Sequence, residues 1–122
     1  DHVGDLSLEA QIFSAVTGID ITPEESYEKG EMLCTLERAI AARDGRTRKD
    51  DTLHEIYFEK EDAGGRRYRR EDLEKAKSEY YERMGWDVPT GVPGKAAMEK
   101  LGLEGAAEVL EKRGRPQTTG RR

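Results

Sequence analysis

The stretch Thr22-Pro23-Glu24-Glu25 constrains this chain more than any other. It supplies a capping hydroxyl, a proline in the first turn and a glutamate three residues after the cap, which together mark a helix start. Leu33, Leu36 and Ile40, flanked by Met32 and Ala39, then keep helical spacing, and Asp44-Gly45 provides the stop. The pattern predicts a helix of ~20 residues, roughly 30 Å long. An uninterrupted helix of that length commits the chain to a helix-rich fold.

Large apolar side chains are scarce around it. Leu, Ile, Val and Phe make up 21 of 122 residues, about 17%, below the ~20% level at which disorder becomes a concern. Disorder also needs high net charge, and 26 acidic against 21 basic side chains leave only −5. The expectation is one folded domain with a small core, mobile ends and at least one mobile loop.

Further helices follow from spacing and caps. Leu8, Ile12, Ala15, Val16 and Ile19 share one helical face, with Ser7 expected to cap its start and Gly18 to end it. Leu73, Ala76, Tyr80 and Met84 share another face, with Tyr81 beside it, on a helix from about Glu71 to Met84 that Gly85 stops. Two short helices are expected near 95–101 and 104–112, separated by Gly102. Residues 46–70 show no sustained period. Within them Glu55-Ile56-Tyr57-Phe58-Glu59 reads as a brief strand or an extended packed segment, and Gly64-Gly65 as a turn. The fold class is therefore all-α, four to five helices with an irregular middle segment. The single helical domain spans 1–112, and 113–122, with four Arg and no large apolar residue, reads as a disordered basic tail.

Composition excludes several functions. No apolar run of 18 residues exists, so no membrane partner is expected. The start Asp1-His2-Val3-Gly4-Asp5 is not a signal peptide, and the abrupt beginning without Met fits a fragment of something longer. One cysteine, Cys34, rules out an internal disulfide and any site built on several thiolates of this chain, which suits a reducing, cytoplasmic setting. Acidic charge overall argues against nucleic acid.

Candidates for chemistry are few. His2 and His54 lack a second ligand type at metal spacing. Cys34, beside Leu33, reads as a small core side chain rather than a nucleophile. Arg66, Arg67, Arg69 and Arg70 with Tyr68 have the chemistry to touch phosphates, yet read better as a solvated loop. The charge-dense stretch 43–52 is the remaining candidate. Arg48, Asp50 and Asp51 within it read as a structural loop: Arg48 and Lys49 lie near the negative end of the long helix, and Asp50 and Asp51 pair with Arg48 or accept backbone donors. A cation or substrate group held by the two aspartates is the functional alternative. No catalytic, cofactor-binding or metal-binding residue is assigned. The residues by themselves also suit a free-standing helical interaction module, using its apolar faces or its arginines.

Three stretches in order are more specific. Ala15-Val16-Thr17-Gly18-Ile19-Asp20 precedes Thr22-Pro23-Glu24-Glu25. Leu36-Glu37-Arg38 leads to Arg43-Asp44-Gly45-Arg46-Thr47-Arg48-Lys49-Asp50-Asp51-Thr52-Leu53. Tyr80-Tyr81-Glu82-Arg83-Met84-Gly85-Trp86-Asp87 leads to Thr90-Gly91-Val92-Pro93 and Leu101-Gly102-Leu103. This series, over roughly residues 8–103, resembles the C-terminal end of the aldehyde ferredoxin oxidoreductase family.

The resemblance implies the last helical domain of a longer enzyme that oxidises aldehydes to carboxylates. Its cofactors would be a tungsten- or molybdenum-pterin and a [4Fe–4S] cluster, and its electron acceptor ferredoxin or similar. It implies upstream cofactor-binding domains as partners, and a domain that walls the active-site cavity without being catalytic alone. The family's last cluster cysteine lies in an Asp-x-x-Gly-Leu-Cys motif that does not map onto Cys34, so no cluster ligand carries over. The family's catalytic acid and histidine also lie upstream. Arg48 to Asp51 is the densest matching stretch and has no established catalytic role; with the resemblance, Arg48, Asp50 and Asp51 are candidates for a structural loop or a cavity-side loop that faces the cofactor domain. His54 stands where Pro is common, Gly94 stands where Thr would cap the next helix, and the loop at Ala63-Gly64-Gly65 marks a divergent member.

Overall fold

The computed structural model describes residues 5–113. Its helices are α1 (Leu6–Thr17), α2 (Pro23–Arg43), α3 (Ile56–Glu59), α4 (Arg70–Met84), α5 (Lys95–Lys100) and α6 (Glu104–Arg113), with a 3₁₀ turn at Arg48–Asp50. Among the described residues there is no strand, only one antiparallel bridge between Trp86 and Pro93. The all-α expectation with an irregular middle holds. The segment expected to be extended, 55–59, is instead the single helical turn α3. Five residues are too few to show a period, so the pattern could not distinguish them. Of the expected basic tail, Arg113 ends α6, and 114–122 lie outside the described residues.

The caps form largely as the sequence predicts. Thr22 accepts from Glu25 N at 3.1 Å while Glu25 Oε2 accepts from Thr22 N at 2.8 Å, closing the capping box of α2. Gly18 and Gly85 take left-handed backbone at the ends of α1 and α4. Gly94 caps α5 without a side chain. At α1 the cap is Asp5, not Ser7: Asp5 Oδ1 accepts from Ser7 N at 2.9 Å. A carboxylate there also answers the positive end of the helix.

The core lies where α5 and α6 meet the second half of α2. Ala39, Met98 and Ala107 are buried together, with Leu103, Ala106 and Leu110 packed around them. The inward face of α2 is Thr35, Arg38, Ala39 and Ala42. This corrects the expected stripe, since Leu33 and Ile40 are exposed and Leu36 is half-buried. Small side chains at 35, 39 and 42 let neighbouring segments approach α2 closely, and that closeness decides which face turns in. Helix α1 repeats the reversal. Ala10 is buried, Ser14 accepts from Ile21 N at 3.1 Å, and Leu8, Ile12, Val16 and Ile19 face outward. Cys34, expected in the core, is exposed.

Candidate functional site

Arg38 enters the domain from the inward face of α2 and is 8% exposed. A guanidinium that deep needs partners for its fork. Its Nε donates to Gly91 O at 2.7 Å and its Nη1 to Asp51 Oδ1 at 2.8 Å. Nη2 lies 2.8 Å from Asp51 Oδ2, an ion pair outside hydrogen-bond geometry. The guanidinium carbon sits 5.8 Å from the Tyr81 ring centroid and 5.7 Å from that of Trp86. Tyr81 donates its hydroxyl to Asp51 Oδ2, and Arg46 Nη2 lies 3.0 Å from Asp51 Oδ1. One carboxylate thus joins two arginines and a phenol.

The 3₁₀ turn positions this carboxylate. Thr47 caps it, and Asp50 Oδ2 accepts from Thr47 N at 2.7 Å, so Asp50 is a cap and takes no part in the hub. Asp51 falls one residue past the turn at φ −89°, ψ 81°, outside the turn's own register. Its carboxylate therefore meets Arg38 and Arg46, not Arg48 as expected. Arg48 reaches α4 instead of the end of α2. Its Nη2 lies 2.7 Å from Glu74 Oε2, 2.8 Å from Glu74 O and 3.0 Å from Ser78 Oγ. Its Nη1 donates to Val88 O at 3.0 Å, and its backbone N to Thr90 O at 2.8 Å. Lys77 Nζ donates to Arg48 O at 3.2 Å and to Asp51 O at 3.0 Å.

The remaining partners come from the turn after α4. Asp87 N donates to Val92 O at 2.8 Å, and Asp87 Oδ2 accepts from Thr90 N at 3.1 Å. This brings Gly91, at φ +70°, so close that an added Cβ would lie 2.4 Å from Arg38 Nη2. Four segments far apart in the chain therefore meet at Arg38 and Asp51. Above them, Cys34, Ala41, Leu73, Ala76 and Tyr80 help line an open groove of about 510 Å³ between α2 and α4.

Electrostatics make the cluster a clamp rather than a proton relay. Burial pushes the Asp51 carboxyl up, but hydrogen bonds from Arg38 and Tyr81, with the charge of Arg38, more than reverse this and hold it below the usual carboxylate value. Burial and the Asp51 carboxylate together push the Tyr81 phenol up to about 12. Asp51 therefore stays ionised and Tyr81 protonated across neutral pH, with nothing to exchange.

Linkage gives the sign at each end of the pH scale. A depressed carboxyl contributes stability that is full above its unfolded value of 3.8 and is lost as pH falls below it. A raised phenol contributes stability that is full below its unfolded value of 10.0 and is lost as pH climbs toward about 12. In a phenolate absorbance titration of the folded chain we expect the last step near pH 12, and Tyr81→Phe should remove it. A variant that keeps that step would disprove the assignment.

The other candidates are local. Arg66, Arg69 and Arg70 pair with Asp62, Asp72 and Glu55, and Arg70 covers the Phe58 ring, while Arg67 is exposed. His54 is exposed and accepts from Ile56 N at 3.4 Å. Among the described residues no group of three His, Cys, Asp or Glu is placed to hold a metal ion. None of their helices is long and apolar enough to cross a membrane. Sequence reasoning flagged Asp51 and Arg48 but gave no role to Arg38, Tyr81, Trp86 or Gly91. An arginine among Thr35, Ala39 and Ala42 on one face was the available signal.

Comparison with known proteins adds two findings. The family model for aldehyde ferredoxin oxidoreductase, domains 2 and 3, matches residues 1–103. A solved structure, the active site complex BamBC of benzoyl coenzyme A reductase in complex with 1,5 dienoyl-CoA, has a similar fold with a TM-score of 0.70 and 25% identity. The match covers 94% of this chain and 16% of that one.

Proposed function

Since the chain belongs to the aldehyde ferredoxin oxidoreductase family, we propose that it serves as a non-catalytic helical domain, residues 1–112, of a larger oxidoreductase. The parent enzyme oxidises an aldehyde to a carboxylate in the cytoplasm and passes electrons to ferredoxin or a similar acceptor. This domain covers the cofactor-binding domains and helps wall the active-site cavity. One observation carries the reading: the stretches that resemble the family, Leu36 to Arg38, Arg46 to Asp51, Tyr80 to Trp86 and Thr90 to Gly91, converge on a single hub around the buried Arg38. A hub whose polar groups pair with each other suits a wall better than a reactive centre.

The residues of this chain do not fit the family's [4Fe–4S] cluster. A [4Fe–4S] cluster takes four thiolates, and the chain has the one cysteine, exposed on α2. The cluster accordingly belongs to the upstream domains, and the family resemblance puts the tungsten- or molybdenum-pterin there with it. The 122-residue chain is expected to purify without stoichiometric tungsten, molybdenum or iron, whereas the full-length enzyme carries them. In that enzyme, Asp51→Ala should lower turnover only together with melting temperature. Stoichiometric metal on the short chain, or turnover lost at an unchanged melting temperature, would overturn the reading.

A further inference from the structure

Helix α1 is built inside out. Ala10 is 2% exposed, while Leu8, Ile12, Phe13 and Val16 are exposed, with Ile19 just past the cap. Val16 reaches 79% exposure. A surface helix ordinarily turns its large apolar side chains to the core. Charge is scarce as well: Glu9 is the one ionisable side chain of α1, in a chain that is 39% charged. Large apolar side chains with charge depleted around them mark the centre of an interface. Glu9, Ile12, Phe13, Val16 and Thr17 also line a shallow hollow of about 400 Å³.

The occupant follows from two further observations. The same fold makes up 16% of a solved chain, so there most of the polypeptide lies outside this unit and is available to cover it. A second copy of this helix is a poor occupant. It would bring another Glu9 into an apolar interface, and α1 carries no Lys or Arg to answer either carboxylate.

We propose that the outer face of α1, with Leu8, Ile12, Phe13, Val16 and Ile19, is the seam against the cofactor-binding part of the same subunit, an apolar surface that presents a Lys or Arg to Glu9. The proposal rests on the domain reading above and goes beyond it by naming the face. A photo-crosslinking amino acid placed at Val16 of the full-length enzyme tests it, with Val109, exposed on α6, as the second position. The Val16 probe is expected to yield intramolecular cross-links to peptides outside residues 1–122, with a basic residue next to the cross-linked site. If Val16 reaches only a second copy, a separate protein or nothing, while the Val109 probe joins the cofactor-binding part, the seam lies elsewhere and the domain reading stands. If neither probe nor any other surface position reaches that part, both fall.

Discussion

Arg38→Ala is expected to destabilise the domain by about 3–5 kcal/mol, the range for breaking a buried ion pair from one side. The substitution strips Gly91 O of its donor and leaves Asp51, a side chain 19% exposed, with Arg46 and Tyr81. It also removes the cation that lies beside both the Tyr81 and Trp86 rings, which touch each other. At this chain length such a loss lowers the melting temperature by on the order of 10–20 °C. Arg38→Lys should recover little of it, because an ammonium cannot hold Gly91 O and both carboxylate oxygens in one plane. Thermal and urea unfolding measure this directly. A loss below about 1 kcal/mol, the range of an exposed pair, would mean that the hub is solvated and not a clamp.

Gly91→Ala should come next in size. Two costs combine. A side chain at φ +70° meets the left-handed penalty of about 1–2 kcal/mol. Its Cβ would then lie 2.4 Å from Arg38 Nη2 and 3.1 Å from the Tyr81 ring, and overpacking of that kind typically adds about 1–3 kcal/mol. The guanidinium cannot swing away cheaply, since Asp51 and the Gly91 carbonyl hold it. Gly102→Ala isolates the first cost: it has φ +73° and nothing within 4 Å of the added carbon. Equal melting shifts for the two variants would refute a steric role for Gly91.

What the sequence made legible were local features. The capping box at Thr22, the glycine stops at Gly18 and Gly85 and the substitute cap at Gly94 all depend on residues a few positions apart. The sidedness of α1 and α2 was not legible. Periodicity finds the apolar stripe of a helix but not whether the same chain covers it. Here Leu33, Ile40, Leu8 and Ile12 form stripes that face outward, while Thr35, Ala39 and Ala42 form the close-packed side. The hub was legible only in part, because its partners are remote. Arg38 and Gly91 are 53 residues apart, and Asp51 and Tyr81 are 30 apart. Asp50 and Asp51, adjacent and chemically identical, separate into a cap and a clamp through one step in backbone direction.

The middle of the chain has an evolutionary consequence. From Thr52 to Arg70 no residue is buried, and the segment hangs between the Asp51 clamp and the first turn of α4. Its tip is closed by itself, with Asp62 accepting from Gly64 N at 2.8 Å and Arg66 N at 2.9 Å. Doubling such a loop costs only about 0.6 kcal/mol of closure entropy. Length can therefore drift here while the ends stay fixed, and a lineage can graft new surface onto this stretch, or shed it, without altering the Arg38–Asp51 hub.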